Sequence, residues 1–421
     1  MVRKPRPRVS AVLDRPLPAP PQRFRRGPFR PGAFPSALRS TRLTSHAGLA
    51  LAVAFGVCFV TGLLSHLIQH PPGWFWWPAR PVWLYRVTQG VHVATGLASV
   101  PLLGLKLWSV YPRLFEWPPA RTVVHAIERT GVAVLVAAGL FQVVSGVLNV
   151  GRWYAPMPFF FTAGHYWVAW LAIGALLVHV GVKLPVVRAA LARRPAGAAP
   201  DPESGAGATP DPESGATPEP PSGGLSRRGL LAATGLAAGI ITVTTVGQTV
   251  RPLSALSVLG PRIPSRGPQG LPINRTAAAA GIGALGDYRL RVAGPGDRIE
   301  LDLAALAALP QHTVELPITC VEGWSATGTW AGVRLRDLVA LVGADPDRAE
   351  VEVESLQPAG RYRRSTVEPP LTADPLTLIA LRLAGEPLHR DHGYPARLIA
   401  PNRPGVLQTK WVGRLTVRSL K

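Results

Sequence analysis

Five apolar segments fill much of the first 250 residues, at about 47–68, 83–108, 123–149, 163–184 and 229–250. Each is long enough, or nearly so, to cross a bilayer, which takes about 20 helical residues. The first, AGLALAVAFGVCFVTGLLSHLI, carries no charge. The second carries Arg86 near one end and Lys106 near the other, both placed to snorkel to an interface. Trp74, Trp76, Trp77 and Trp83 lie between the first two segments, Trp108 and Trp117 follow the second, and Trp153 follows the third. Tryptophan at span ends is the interfacial belt of membrane helices. The pattern predicts transmembrane helices and a lipid bilayer as the chain's first partner.

Composition agrees. The chain is 47% hydrophobic and 16% charged, against roughly 25% charged residues in an ordinary soluble domain. The formal charge of +21 reflects arginine-rich segments. One is an arm from Arg3 to Arg42 in which Asp14 is the only acid. No helix or sheet follows that would aim these arginines at a groove, so nucleic-acid binding is not expected. A basic arm before an apolar span reads as cytoplasmic. Arg113 and Arg121 between spans two and three, and Lys183, Arg188, Arg193 and Arg194 after span four, repeat the signal. The N-terminus is therefore expected in the cytoplasm, and the fifth span runs outward and leaves the C-terminal part outside.

Residues 195–224 repeat PDPESGA and consist of Pro, Gly, Ala, Ser and acids. Such a segment buries too little apolar surface to fold, which marks a linker. Ser226-Arg227-Arg228-Gly229-Leu230-Leu231 then opens the fifth span. It reads either as a cytoplasmic helix end or as an internal twin-arginine export signal, the route for folded cofactor domains. From about 265 the chain turns globular. Alternation at 288–292 and 351–354 predicts strands, and 301–309 and 333–342 predict helices. The expected organisation is a cytoplasmic arm (1–42), an all-α transmembrane four-helix bundle (43–190), a linker (191–224), a fifth membrane helix (225–250) and an α+β domain (265–421). Cys58 in a span and Cys320 in the last domain are not expected to meet in a disulfide.

Six histidines lie in or beside spans: His46, His66, His92, His125, His165 and His179. Ionisable groups in membrane helices are costly and mark function. His165 and His179 are 14 residues apart, which is about 21 Å of rise and within roughly 40° on one helix face. His92 falls level with His165, and His46 with His179. Two b-type haems, one above the other, would follow from the pairs His92/His165 and His46/His179, with His125 the rival of His46. His66 rotates to the opposite face of span one. No Cys-x-x-Cys-His is present for covalent attachment. The arrangement resembles the di-haem cytochrome b subunits of formate dehydrogenases and hydrogenases, whose fourth helix carries two histidines at this spacing.

Around Cys320 the sequence reads Pro317-Ile-Thr-Cys320-Val-Glu322-Gly-Trp324-Ser325. In order follow Ser355-Leu356-Gln357, Gly385-Glu386-Pro387-Leu388, His392-Gly393-Tyr394-Pro395-Ala396-Arg397, then Pro401, Gly405 and Lys410-Trp411. These motifs resemble the molybdenum-cofactor domain of the sulfite-oxidase superfamily, in particular its periplasmic branch with methionine sulfoxide reductase catalytic subunits. The resemblance implies a Mo-molybdopterin whose metal takes one protein thiolate, Cys320, a soft ligand suited to it. Arg397 and Lys410 would meet the pterin phosphate, with donors at Gln408 and Thr409. Asn274, Arg275, Ser355 and His392 fall where the family contacts the pterin, Ser355 and His392 standing where relatives often carry Thr and Asn. Glu322, Tyr362 and Arg363 are the candidate catalytic neighbours of Cys320. Arg361, Arg363 and Arg364 read as an anion pocket or as a solvated loop. No dimerisation domain of the sulfite-oxidase kind is expected after Trp411. The implied activity is oxygen-atom transfer on a small S- or N-oxide or oxyanion, with electrons exchanged with quinone or another redox partner. The alternatives are a sulfite dehydrogenase of the same fold and a membrane receptor with an outer ligand-binding domain.

Overall fold

The computed structural model describes residues 21–22, 26–30, 32–192, 225–260 and 262–420. Residues 193–224 of the linker expected at 191–224, and the arm residues 1–20, 23–25 and 31, lie outside the described residues. Five long helices follow the five apolar segments: α1 (Thr41–Gln69), α2 (Leu84–Val110), α3 (Val123–Val150), α4 (Phe161–Leu191) and α5 (Arg227–Val246). All are long and apolar enough to cross a membrane. Large apolar side chains such as Leu49, Val53, Val60, Trp167, Leu171, Leu177 and Val178 are exposed along them. So much exposed apolar surface is what a lipid environment would cover.

The chain divides into two compact units. The first comprises Met1–Phe59, Thr95–Leu148 and Tyr154–Ile241. Within it α1 meets α2 where Cys58 Sγ lies 3.0 Å from Thr95 Oγ1 and where Lys106 donates to the Thr44 carbonyl at 3.0 Å. The α3 and α4 helices meet through a Glu128–Lys183 ion pair and through Gln142, which donates to the His165 carbonyl at 2.8 Å. Arg227, the first residue of α5, donates to the Ala37 carbonyl at 3.1 Å.

The second unit comprises Val60–Ala94, Asn149–Trp153 and Thr242–Lys421. Its body is two five-stranded sheets. The first runs β2 (Arg298–Asp302), β1 (Arg289–Ala293), β10 (Val412–Ser419), β5 (Ala349–Ser355) and β6 (Arg364–Val367). Only the β1–β10 pair is parallel in it. The second runs β3 (His312–Thr319), β4 (Ser325–Arg334), β7 (Leu378–Leu383) and β8 (Glu386–Pro387), with β9 (Arg397–Ile399) also on β7. The predicted alternation is real. In β1, Leu290 and Val292 are buried while Arg289 and Arg291 are exposed. In β5, Val351 and Val353 are buried.

The predicted helical patches shorten to α6 (Leu303–Ala308) and α7 (Leu335–Leu341), their first residues going to β2 and β4. Asp302 caps α6 by accepting from the Ala305 amide at 2.8 Å. The α7 helix buries Leu335, Leu338 and Val339, one apolar face at helical spacing. With α8 (Pro369–Thr372) and the strands it closes a core of Leu290, Val292, Val351, Val353 and Leu415. A second core gathers Leu316, Ile318, Trp330, Leu378 and Ile399 around Cys320.

The β4–β7 register shifts between Ala331 and Gly332. A Cβ at Gly332 would lie 2.2 Å from the Ile379 carbonyl oxygen. Backbone cannot yield there as a flexible side chain would, so Gly332→Ala should lower the stability of the second unit by about 1–3 kcal/mol. Denaturant midpoints of the full chain measure this, and an unchanged midpoint would show that β7 shifts freely.

Candidate active site

Cys320 begins the loop that joins β3 to β4. Thr319 stands opposite Ser325, and their hydroxyls are 3.0 Å apart. Five residues close the hairpin. The Cys320 amide donates to the Trp324 carbonyl at 2.9 Å, and the Gly323 amide to the Cys320 carbonyl at 3.1 Å. Gly323 turns the chain at φ +90, where a side chain would be strained and would lie 2.9 Å from Val93 Cγ1. Cys320 is a free thiol, as is Cys58, and is 2% exposed. Burial, then the Glu322 charge, pushes its proton affinity far up, while Arg152 and the backbone amides of Glu322 and Val321 pull the other way. Such a thiol gives up its proton when a cation takes its place.

Glu322 is held on both oxygens. Arg152 Nε donates to Oε1 at 3.1 Å and Trp324 Nε1 to Oε2 at 2.9 Å. Burial raises its carboxyl above the usual range, and Trp324 and Arg152 oppose the shift. Arg152 sits at φ +57 just beyond α3 and also donates to the Asn274 carbonyl at 3.0 Å. Asn149 and Gln89 donate to the Val321 carbonyl at 3.1 Å and 3.4 Å. None of these three was singled out from sequence, because each lies in a helix end or interfacial loop far from Cys320 in the chain.

Two cations occupy the interior nearby. Arg397 is 2% exposed, donates to the carbonyls of His392 at 3.0 Å and Gln408 at 3.3 Å, and lies over the Trp330 ring. Its Nε is buried with no hydrogen-bond partner. Burial brings its proton affinity down to about 9. Lys410 donates to the carbonyls of Arg275 at 2.9 Å and Asp391 at 2.7 Å. Burial and Arg397 lower it well below an ordinary lysine. Among the described residues neither forms an ion pair with a carboxylate. Desolvated, unneutralised cations are costly unless an anion joins them. A buried soft thiol beside such a pair fits a metal cofactor that carries a phosphate.

Other predicted residues hold the fold around this cradle. Ser355 Oγ donates to the Lys410 carbonyl at 2.8 Å. Asn274 caps the Arg275 amide with its side chain, and Arg275 donates to the Ala279 carbonyl. Gln408 brackets Ala400 with two bonds of 2.8 Å, and Thr409 Oγ1 is 2.7 Å from Ser365 Oγ. These last two side chains bond within the protein itself. Of the arginines of the candidate anion pocket, Arg363 and Arg364 both reach Glu354, at 2.7 Å and 3.4 Å. Tyr362 is partly buried.

Residues 279–421 match a family model described as the oxidoreductase molybdopterin binding domain. The chain carries a molybdopterin oxidoreductase domain of the sulfite oxidase family. Mitochondrial sulfite oxidase of Rattus norvegicus is 31% identical over 159 residues, which cover 31% of this chain and 29% of that protein. A protein of Azospira oryzae named putative protein-methionine-sulfoxide reductase subunit YedZ1 is 34% identical over 131 residues, covering 31% of this chain and 48% of its own length. The chain therefore spans less than half of these curated relatives.

Outside the molybdopterin domain, the predicted haem histidines keep distinct surroundings. Within the second unit His92 Nδ1 is 3.3 Å from Thr61 Oγ1, and His66 lies ring to ring with His70 at 4.8 Å. Within the first, His165 Nδ1 is 3.0 Å from Ser145 Oγ, and His46 Nδ1 is 2.8 Å from the Arg42 carbonyl. His179 is half-buried, and His125 Nδ1 accepts from the Arg121 amide at 3.1 Å.

His392 yields a test in the molybdopterin domain. It is 2% exposed, and its Nε2 donates to the Pro268 carbonyl at 2.7 Å. Burial lowers its pKa from 6.5 to about 4, with Arg397 and Lys410 adding to the fall. A depressed pKa means the neutral form is the folded one. Its stabilisation is full above pH 6.5 and is lost as pH falls toward 4, by roughly 3 kcal/mol. His392→Gln should flatten the stability–pH curve by that amount over this window in denaturant titrations. Parallel curves for the two proteins would show that His392 does not titrate this way.

Proposed function

We propose that the chain is a membrane-bound molybdopterin oxidoreductase that moves an oxygen atom to or from a small S- or N-oxide and exchanges electrons with quinone through b-type haems. The observation that carries this reading is the single buried thiol of Cys320 beside the unneutralised cations Arg397 and Lys410. One thiolate and one anion cradle are what a pterin-bound molybdenum asks of a protein. When bound, that cofactor supplies the two-electron oxygen-atom chemistry. The protein's part is to bury Cys320, fix its loop and balance the charge. Reduction of an oxide consumes two electrons and two protons and releases water, and a quinol supplies both.

The haem half rests on His46, His92, His165 and His179 in an expected four-helix bundle. A hydrogen bond on Nδ1, as at His46, His92 and His165, is how a ligating imidazole is oriented to bind through Nε2. The loop arginines support a cytoplasmic N-terminus and a molybdopterin domain outside, with Arg227-Arg228 as the export signal. The name of the Azospira relative supports a sulfoxide substrate. The rat relative supports the second reading, a sulfite dehydrogenase. Arg363 and Arg364 each reach Glu354 through one guanidinium nitrogen, and with Arg361 they are the anion pocket that the dehydrogenase reading would use.

Cys320→Ser should abolish turnover with reduced dye and an oxide, a loss beyond the roughly 10–100-fold cost of losing an outer-shell partner. Metal analysis of the wild type should find molybdenum. Full turnover in the variant, or a wild type without molybdenum, would overturn the reading; sulfite-dependent dye reduction without oxide turnover would select the dehydrogenase.

For the haems, the purified chain should show a low-spin Soret band from two b haems. His165→Ala should halve it, and His66→Ala should leave it unchanged. Absence of any such band refutes the haem half alone.

A further inference from the structure

Three side chains from the ends of α2 and α3 converge on the backbone beside Cys320. Asn149 and Gln89 both bond the Val321 carbonyl, and Arg152 ties Glu322 to the Asn274 carbonyl. All belong to the second compact unit. The hairpin does not require them for closure, since the Thr319–Ser325 register and the Cys320–Trp324 bond already fix both ends of the loop. Gln89 is 4% exposed on an apolar helix, where an amide is costly unless bonded. Its orientation is set by its own neighbours. Oε1 accepts from Ser65 Oγ at 3.2 Å and from the Tyr85 hydroxyl at 3.5 Å, which turns Nε2 toward Val321.

Three residues beyond Gln89, on the same helical face, stands His92. The next residue, Val93, lies directly against Gly323 of the loop. One helical turn therefore carries both the bond to the residue after Cys320 and a candidate haem ligand. We infer that the turn Gln89–Val93, with Asn149 and Arg152 holding the loop to it, is the bridge by which electrons cross between Cys320 and the haem site at His92 within one chain. The inference rests on the proposed reading that Cys320 holds molybdenum and His92 a haem. Electrons cross singly, quinol being the donor and the oxide the acceptor, and the bridging residues undergo no covalent change. Gln89, Asn149 and Arg152 are positioning residues in this scheme.

The full chain carrying Gln89→Leu with Asn149→Leu tests it. Quinol-fed oxide reduction, and reoxidation of the haem Soret band by oxide, should slow by about tenfold or more, the scale on which outer-shell partners act. Turnover fed by a reduced dye, which reaches the cofactor directly, should fall less, so that the ratio of quinol-fed to dye-fed rates drops by about tenfold. In chain purified without molybdenum, amides of 321–324 should exchange faster in the double variant. Should the two leucines prevent folding, Gln89→Ala alone, with Asn149 still on Val321, should give the same split between quinol and dye. Equal losses with quinol and dye would reveal a merely structural role and overturn the bridge, as would no loss with either. A wild type lacking molybdenum or a Soret band overturns the underlying reading, and this is seen before any variant is made.

Discussion

The Arg152–Glu322 pair is the interaction on which the Cys320 loop depends. Glu322 has 8% of its side chain exposed and cannot stay ionised there on the strength of Trp324 alone. Arg152 has 34% of its side chain exposed, so water screens the pair. Removing Arg152 therefore costs less than the roughly 3–5 kcal/mol of a fully buried pair, while still leaving the Glu322 charge without its cation. Arg152 does more than neutralise. Its second bond, to Asn274, ties the loop to the segment just before the region matched by the family model. Its own backbone, at φ +57, is bent into the left-handed region to make that reach. Strain of this kind persists only where the surroundings overdetermine it.

The opposite side of the cradle has the reverse character. Glu322 is neutralised, whereas Arg397 and Lys410 meet carbonyl oxygens and no carboxylate among the described residues. The interior around Cys320 is thus left with positive charge in low dielectric, where each Coulomb interaction is amplified. A neutral thiol suits the apolar cluster of Trp324, Trp330 and Ile399. Under the proposed reading, an anionic group beside the two cations, with a metal on the thiolate, would restore balance on both sides at once.

Much of this was legible in the sequence. Span positions followed from apolar run length, and strands β1 and β5 from alternation at 288–292 and 351–354. Cys320, Arg397 and Lys410 stood out through ordered motifs. The rest was not local. Gln89, Asn149 and Arg152 precede their loop partners by at least 170 residues, and nothing in their neighbourhoods marks a polar residue as one that faces a distant backbone carbonyl. Arg152 beside Trp153 reads as an interfacial pair. Nor does the sequence show that Thr409 meets Ser365 and Gln408 meets Ala400. The Arg363–Glu354 pair, joining a loop to β5, is likewise not marked in the sequence.

Composition and contact also draw different boundaries. Composition turns globular at about 265, whereas the compact unit takes in 60–94 and 149–153 as well. Asn402 shows why. In the left-handed conformation, it accepts from the Tyr85 amide at 2.6 Å, donates to the Pro78 carbonyl at 2.7 Å and takes the Trp77 indole on its carbonyl at 2.8 Å. Arg80 pairs with Asp374, whose side chain is 7% exposed. With Val321 and Glu322, these are buried polar groups whose partners lie on the helix ends, and each left unmet costs about 1–3 kcal/mol. A fragment cut at 265 would lose all of them together. The sheets supply the apolar core, but the polar side of the Cys320 site is completed by residues whose helices the sequence marks for a membrane.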